Sequence, residues 1–218
     1  AAGKADDGMK YKVMIVEDQT MPRELFELRV QASERFELAL SIDNAALADV
    51  YCLRFPVDLI LMDVITRDGE NGLDAAARIK RTFPQIKIII VTSMPECSYL
   101  KRAKEIGVES FWYKEEQRES LLDVMERTMN GESVYPGASP ELTLGMASSY
   151  QFTERELDIL REITSGDTNQ EIADRLNMSV ATVKTHILNM LEKTGFRNRT
   201  ELAVRARESG LVILNRRN

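Results

Sequence analysis

The chain is poor in the residues that build metal centres and covalent frameworks. Its 218 residues include one histidine, His186, and two cysteines, Cys52 and Cys97. A single imidazole argues against His-rich metal sites and against Ser-His-Asp hydrolysis. Two thiols in a chain long enough to bury a core suit a reducing cytoplasm and no disulfide framework. Long apolar runs are also missing. The richest, Ile86–Val91, contains Lys87 and falls far short of a membrane span, so no membrane insertion is expected. No secretory signal is visible; residues 1–8, polar and ahead of Met9, read as an expression-tag remnant.

What is present is pattern. Hydrophobic residues make up 44% and charged residues 29%, with a formal net charge of −6, a globular balance in a chain sized for one large or two small domains. Short apolar runs recur at Val13–Val16, Leu38–Ile42, Leu59–Met62, Ile86–Val91 and Ser110–Tyr113. Between them the spacing predicts helices. The first runs from Pro22 to Gln31 with Leu25, Phe26 and Leu28 inward. The second is capped by Asn44, with Leu47, Ala48, Tyr51 and Cys52 on one face. Others cover Leu73–Phe83, Tyr99–Ile106 and Leu121–Met129. Apolar strands alternating with helices imply an α/β doubly wound, five-stranded parallel sheet of flavodoxin-like order over residues 9–131. Residues 132–149, with Pro136, Gly137, Pro140 and Gly145, read as an interdomain linker. Residues 150–218 read as a small all-α domain of four helices. Thr153–Glu156 matches a capping box, Asn169–Leu176 is a second helix, Ser179 caps a third that ends before Gly195, and Thr200–Ser209 is the fourth.

In an open α/β sheet, ligands bind beyond the carboxyl ends of the strands. The residues there are Glu17 and Asp18, Asp63, Thr92 and Lys114. One acid after a strand is usually a cap or a solvated turn. Three acids, a hydroxyl and an ammonium on four correctly ordered strands are a much less ordinary set. Clustered carboxylates repel unless a cation holds them, and oxygen donors suit Mg²⁺, which often bridges to phosphate. Asp63 would then be a nucleophile forming an aspartyl phosphate, with Thr92 and Lys114 binding phosphoryl oxygens.

The segments Val16–Asp18, Leu61–Asp63, Val91–Ser93 and Phe111–Lys114 resemble the receiver domain of bacterial two-component response regulators, over about residues 10–131. The resemblance implies that Asp63 accepts phosphate from a sensor histidine kinase. It implies Mg²⁺ held by Glu17, Asp18, Asp63 and the backbone carbonyl of Ile65. Thr92 and Phe111 match the switch positions: a phosphoryl group would draw Thr92 inward, and Phe111 would follow. One departure is visible. The loop after Asp63 carries Thr66-Arg67 where the family has Met-Pro, and one extra residue before Gly72.

In the tail, Asn169–Leu176, a tight turn at Asn177-Met178 and Ser179–His186 have the dimensions of a helix-turn-helix. Val183, Ile187, Met190 and Leu191 share the inward face of its second helix. Lys184, Thr185 and Leu188 lie toward the other face, where base edges are read. The segments Phe152–Glu156, Asn169–Ala173 and Thr182–His186 resemble the LuxR-type DNA-binding domain, and the whole chain resembles a NarL/FixJ-family regulator. DNA contacts are expected from Thr182, Lys184, Thr185, His186, Leu188, Asn189, Arg197 and Arg199. His186 serves in packing or at a phosphate. The family's dimerisation helix falls on Thr200, Leu202, Ala203 and Ala206.

The expected protein is therefore a cytoplasmic transcription regulator binding double-stranded DNA as a homodimer once Asp63 is phosphorylated. Its only chemistry would be self-phosphorylation and hydrolysis of that phosphate. A phosphohydrolase on a similar sheet would need a second Asp two residues after the nucleophile, where Ile65 stands. A regulator working through protein contacts, without phosphate, is the other alternative. Residues 150–218 carry 11 basic and 10 acidic side chains. DNA affinity must then come from placed charges and from doubling by dimerisation, not bulk charge.

Overall fold

The computed structural model describes residues 9–67, 71–94, 96, 98–114 and 119–212. Residues 1–8, Cys97 and the middle of the Asp63–Gly72 loop lie outside the described residues. The chain divides into two units. One holds residues up to Ser93 and Tyr99–Gly137; the other holds Met94–Ser98 and everything from Ala138.

The first unit is built on strands β1 (Tyr11–Val16), β2 (Phe36–Ile42), β3 (Leu59–Met62), β4 (Lys87–Thr92) and β5 (Ser110–Tyr113). They form one parallel sheet in the order β2-β1-β3-β4-β5, the expected doubly wound topology. The helices are α1 (Thr20–Gln31), α2 (Ala48–Arg54), α3 (Gly72–Thr82), α4 (Ser98–Ile106) and α5 (Leu121–Met129). β1, β3 and β4 are central strands, so both faces are buried, and their unbroken apolar runs follow from that. One face packs Phe26, Val30, Leu121, Val124 and Met125 against sheet residues that include Trp112.

Two helical faces differ from the sequence reading. In α1, Phe26 and Val30 are buried, whereas Leu25 and Leu28 are 44% and 63% exposed. The i, i+4 pair of the larger and the β-branched side chain faces the sheet, and the leucines flank it. Asn44 caps a single 3₁₀ turn ahead of α2, accepting from the Ala46 N–H at 2.8 Å. Ala45, Ala48 and Cys52 are the buried face there, and Leu47 is exposed.

The second unit contains β6 (Thr143–Leu144), β7 (Ala147–Ser148), α6 (Glu154–Thr164), α7 (Asn169–Arg175), α8 (Val180–Thr194) and α9 (Arg199–Ser209). Thr153 and Thr168 both close capping boxes, with Glu156 and Glu171. Glu156 does more than cap. Buried to 4% exposure, it also takes the Lys193 ammonium at 2.8 and 3.0 Å, tying the start of α6 to the end of α8.

Within the expected linker at 132–149, part of the segment packs on each unit. Ser133–Tyr135 bonds to Val108–Phe111 in the first unit, and residues from Ala138 belong to the second. The β6–β7 hairpin closes on the end of α8 through Met146 N–H to the Thr194 carbonyl, 3.0 Å. Gly145 has φ +62°, and a Cβ there would fall 2.1 Å from the Thr194 carbonyl oxygen, so only glycine lets the hairpin approach this closely. Two-residue strands carry no readable alternation, so the β6–β7 hairpin was not legible in the sequence.

Candidate functional site

The carboxyl edge of the sheet is held in place by its own ladder. Glu17 N–H donates to the Ile42 carbonyl, Asp63 N–H to Val16, and Lys114 N–H to Thr92, each at 2.9 Å. Glu17, Asp63 and Lys114 are therefore each anchored to the last residue of a neighbouring strand. Glu17, Asp18 and Asp63 bring one carboxylate oxygen each within 4.8 Å of one another. Glu17 and Asp63 are buried, at 1% and 5% exposure, and Thr92 is fully buried. Asp18 is half-buried.

Lys114 joins the cluster. Its ammonium donates to Glu17 Oε2 at 2.5 Å and to Asp63 Oδ2 at 2.8 Å, with 11% of its side chain exposed. Beneath it, 6.0 Å away, lies the ring of Phe26 from α1, whose place under the site ammonium was not legible in the sequence. Burial pushes the Asp63 carboxyl up to about 7, against the pull of Lys114 and with a further push from Glu17. Asp18 is also raised, by its burial and by Glu17. Burial disfavours the Lys114 charge, but Asp63 and Glu17 outweigh it and hold the ammonium above its ordinary range. The site thus contains a deeply buried carboxyl, an adjacent fixed cation and two further oxygen donors.

The residues that depart from the family loop have a structural task. Thr66, 3% exposed, accepts the Ala45 N–H at 2.9 Å. Arg67 pairs with Asp43 at 3.0 Å, and its N–H reaches the Asp43 carbonyl. Together they pin the loop after β3 to the turn after β2. Ile65, half-buried, points its N–H at Asp63 Oδ1 from 3.4 Å. Gly72 closes the loop from the far side, its N–H donating to the Val64 carbonyl at 2.7 Å. A Cβ on Gly72 would sit 1.9 Å from the Asp63 carbonyl oxygen. Gly72→Ala is expected to shift the Asp63 backbone and cost about 1–3 kcal/mol by overpacking. Chemical denaturation with and without Mg²⁺ checks this, and unchanged stability would show that the loop yields freely.

Phe111 sits apart from the acids, paired with Ile90 in the sheet and 2% exposed. Its ring lies 5.0 Å from that of Tyr113 and 6.2 Å from that of Tyr135.

In the second unit, α7 and α8 meet at a turn where Asn177 adopts φ +53°, a conformation asparagine tolerates better than most residues. Ser179 caps α8 by accepting the Thr182 N–H. Val183, Ile187 and Met190 are buried in the core of the unit. Thr182, Lys184, Thr185, Leu188 and Asn189 are exposed on the opposite side, and His186 is half-buried between the two faces. Arg197 is exposed. Arg199 is not simply a surface charge. Its guanidinium donates to Asn169 Oδ1 at 2.8 Å and to the Asp167 carbonyl at 2.5 Å, clamping α9 to the start of α7. In α9, Leu202 and Ala206 are fully buried in the core of their own unit and so are not available to a second copy. Thr200 and Val204 are its exposed neighbours, and Ala203 is partly buried.

A doubly wound sheet with an acidic edge, followed by a helix-turn-helix, defines a receiver joined to a DNA-binding output. The comparisons with known proteins agree. Residues 13–126 match the response regulator receiver domain, and residues 150–206 match the bacterial regulatory proteins of the luxR family. The chain is 33% identical over 212 residues to the response regulator protein VraR of Staphylococcus epidermidis, covering 94% of this chain and all of that one. Its fold is similar to a structure of two RcsB dimers bound to two parallel DNAs, with a TM-score of 0.58, 17% identity and coverage of 90% and 98%. It is similar also to RcsB of Salmonella enterica serovar Typhimurium bound to promoter rprA with the phosphomimetic BeF3⁻, at a TM-score of 0.55, 19% identity and the same coverage. The chain belongs to the two-component response regulators that carry a LuxR-type DNA-binding domain. Among the described residues, no helix is long and apolar enough to cross a membrane.

Proposed function

We propose that this regulator is switched by transfer of a phosphoryl group from a sensor histidine kinase to Asp63. The modified protein then pairs and binds DNA in the cytoplasm. The observation that carries the reading is Asp63 itself: a buried carboxyl at a strand end, held by an ammonium and flanked by two more acids. The donor set fits Mg²⁺, since all three side chains offer hard oxygens within 4.8 Å of one another. Glu17, Asp18, Asp63 and the Ile65 carbonyl would hold the ion, which when bound neutralises charge on the phosphoryl oxygens. An Asp63 carboxylate oxygen attacks phosphorus as the P–N bond of the phosphohistidine breaks, and the electron pair leaves with the imidazole. Lys114 remains on Glu17 and turns its other contact to a phosphoryl oxygen. The Thr92 hydroxyl binds another, and Phe111 follows it toward β4.

On the output side, Thr182, Lys184, Thr185, Leu188 and Asn189 face base edges in the major groove, with His186 and Arg197 at phosphates. Pairing through the exposed side of α9, with Thr200, Ala203 and Val204, sets two such helices on adjacent half-sites.

The test treats the full chain with acetyl phosphate and Mg²⁺ and follows intact mass, dimerisation and DNA binding. The parent is expected to gain one phosphoryl group and to bind DNA more tightly. If Asp63→Asn gains both like the parent, the mechanism is wrong; if neither protein enriches any DNA from a genomic selection, the DNA-binding role falls. Ile65 supplies a further check. It places apolar surface beside the acyl phosphate, where it hinders an attacking water. Ile65→Asn is expected to shorten the phosphate lifetime, read as the rate of mass loss after the donor is removed. An unchanged rate would remove that role.

A further inference from the structure

We propose that Ser133–Tyr135, the strap after α5, is a clasp that reads the position of Phe111 and lets go of β5 when Asp63 is phosphorylated. The inference rests on the switch reading above and adds to it a route out of the receiver.

β5 is an edge strand, so one row of its backbone groups lies open after pairing with β4. The strap bonds to that edge at Phe111 and to the approach just before it. The Phe111 N–H donates to the Val134 carbonyl at 2.8 Å, and the Val134 N–H returns to Ser110 Oγ at 3.1 Å. Ser133 Oγ donates to the Glu109 carbonyl at 2.6 Å, and the Tyr135 hydroxyl to the Val108 carbonyl at 2.7 Å. The strap is thus bound to four consecutive residues of one strand and its approach. On top of this the Tyr135 ring lies tilted against that of Phe111, and the Lys104 ammonium lies 5.0 Å from the centre of the Tyr135 ring. Pro136 and Gly137 follow at once, and the second unit starts at Ala138.

The geometry gives the clasp a direction. β4, with Thr92 at its end, flanks β5 on one side, and the strap flanks it on the other. A Phe111 ring that moves toward Thr92 therefore moves away from Tyr135. Tyr135 then loses the ring it packs on, and the strap is left with its hydrogen bonds to β5 and its approach, the Lys104 contact and the partly buried Val134 side chain. Local segments of this kind open at low free-energy cost. Release lengthens the free tether ahead of Ala138, widening the reach of the DNA-binding unit. Tyr135 is a positioning residue here: it touches no phosphate.

Hydrogen exchange on the full chain, with acetyl phosphate and Mg²⁺ kept in excess and intact mass read in parallel, tests this. Phosphorylation is expected to speed exchange over residues 132–137 and at the Phe111 amide by roughly tenfold or more. Tyr135→Ala is expected to show that fast exchange without any phosphodonor. Tyr135→Phe, which keeps the ring and loses the hydroxyl bond, should stay close to the parent and still respond to phosphate. If the mass shows Asp63 phosphorylated while strap exchange stays at its starting rate, the clasp is refuted and the receiver reading stands. If no phosphate is gained, the receiver reading fails instead. Should Tyr135→Ala not fold, the parent and Tyr135→Phe still decide the matter.

Discussion

Asp63→Asn is expected to make the metal-free protein more stable while ending its response to phosphodonor. The buried Asp63 carboxyl is raised from 3.8 to about 7, chiefly because burial penalises its charge. In the unfolded chain it titrates near its ordinary value. Between those limits the folded state holds a proton that the unfolded state has lost. Its contribution to stability is fully present below 3.8 and disappears as pH rises through about 7. Above that pH the parent carries a desolvated carboxylate, and asparagine removes it at nearly equal volume. The gain is on the order of 1–3 kcal/mol, less whatever Lys114 loses by giving up one partner. Mg²⁺ works the other way. An ion bound by the folded state alone stabilises the parent by about 2.7 kcal/mol at a hundredfold excess over its dissociation constant, and the variant by much less. Thermal melts at pH 6 and pH 8, with and without Mg²⁺, read both effects. A variant no more stable than the parent at pH 8 without metal would mean that Lys114 already compensates the Asp63 charge.

That energetic tension is legible in the sequence only in outline. Asp63, Thr92 and Lys114 each follow an unbroken apolar run, and such runs mark buried strands wherever they occur, so the acidic edge could be assembled without coordinates. The same holds for α8, bounded by the Ser179 cap and Gly195. What escaped was every feature decided by tertiary contact. Leu25 and Leu28 look as buried as Phe26 until the sheet selects which stripe of α1 it covers. Thr66 and Arg67 look like a defect in a loop until Ala45 and Asp43 are seen to receive them. Leu202 and Ala206 sit at positions suited to an interface and instead fill the core of their own unit. Tyr135 lies in a stretch with no period, and its role depends on a strand more than 20 residues earlier. Local pattern fixes elements, but long-range packing assigns their faces.

The same distinction governs the largest expected effects on DNA. Lys184→Ala is expected to weaken specific binding by about 1–3 kcal/mol per half-site, since Lys184 is exposed on α8 beside Thr185 while Val183 holds the helix to its core. A dimer carries the loss twice, so a tenfold defect per half-site becomes roughly a hundredfold defect per operator. Arg197→Ala should act differently. In the proposed role at a phosphate, its loss is expected to lower affinity alike for every sequence and to flatten the salt dependence by about one counterion per half-site. Arg199→Ala should act differently again. Its guanidinium holds α7 and α9 together, so the first consequence is a lower melting temperature, with DNA binding lost through displacement of the helix-turn-helix. Binding titrations at several salt concentrations on selected and scrambled sites, beside thermal melts, separate the three. A Lys184→Ala protein with parental affinity and an unchanged selected sequence would show that α8 does not read bases through this residue. The near balance of 11 basic and 10 acidic groups over residues 150–218 makes the comparison sensitive. With little bulk charge to hold the protein on DNA, a single placed cation is expected to account for a large share of the binding.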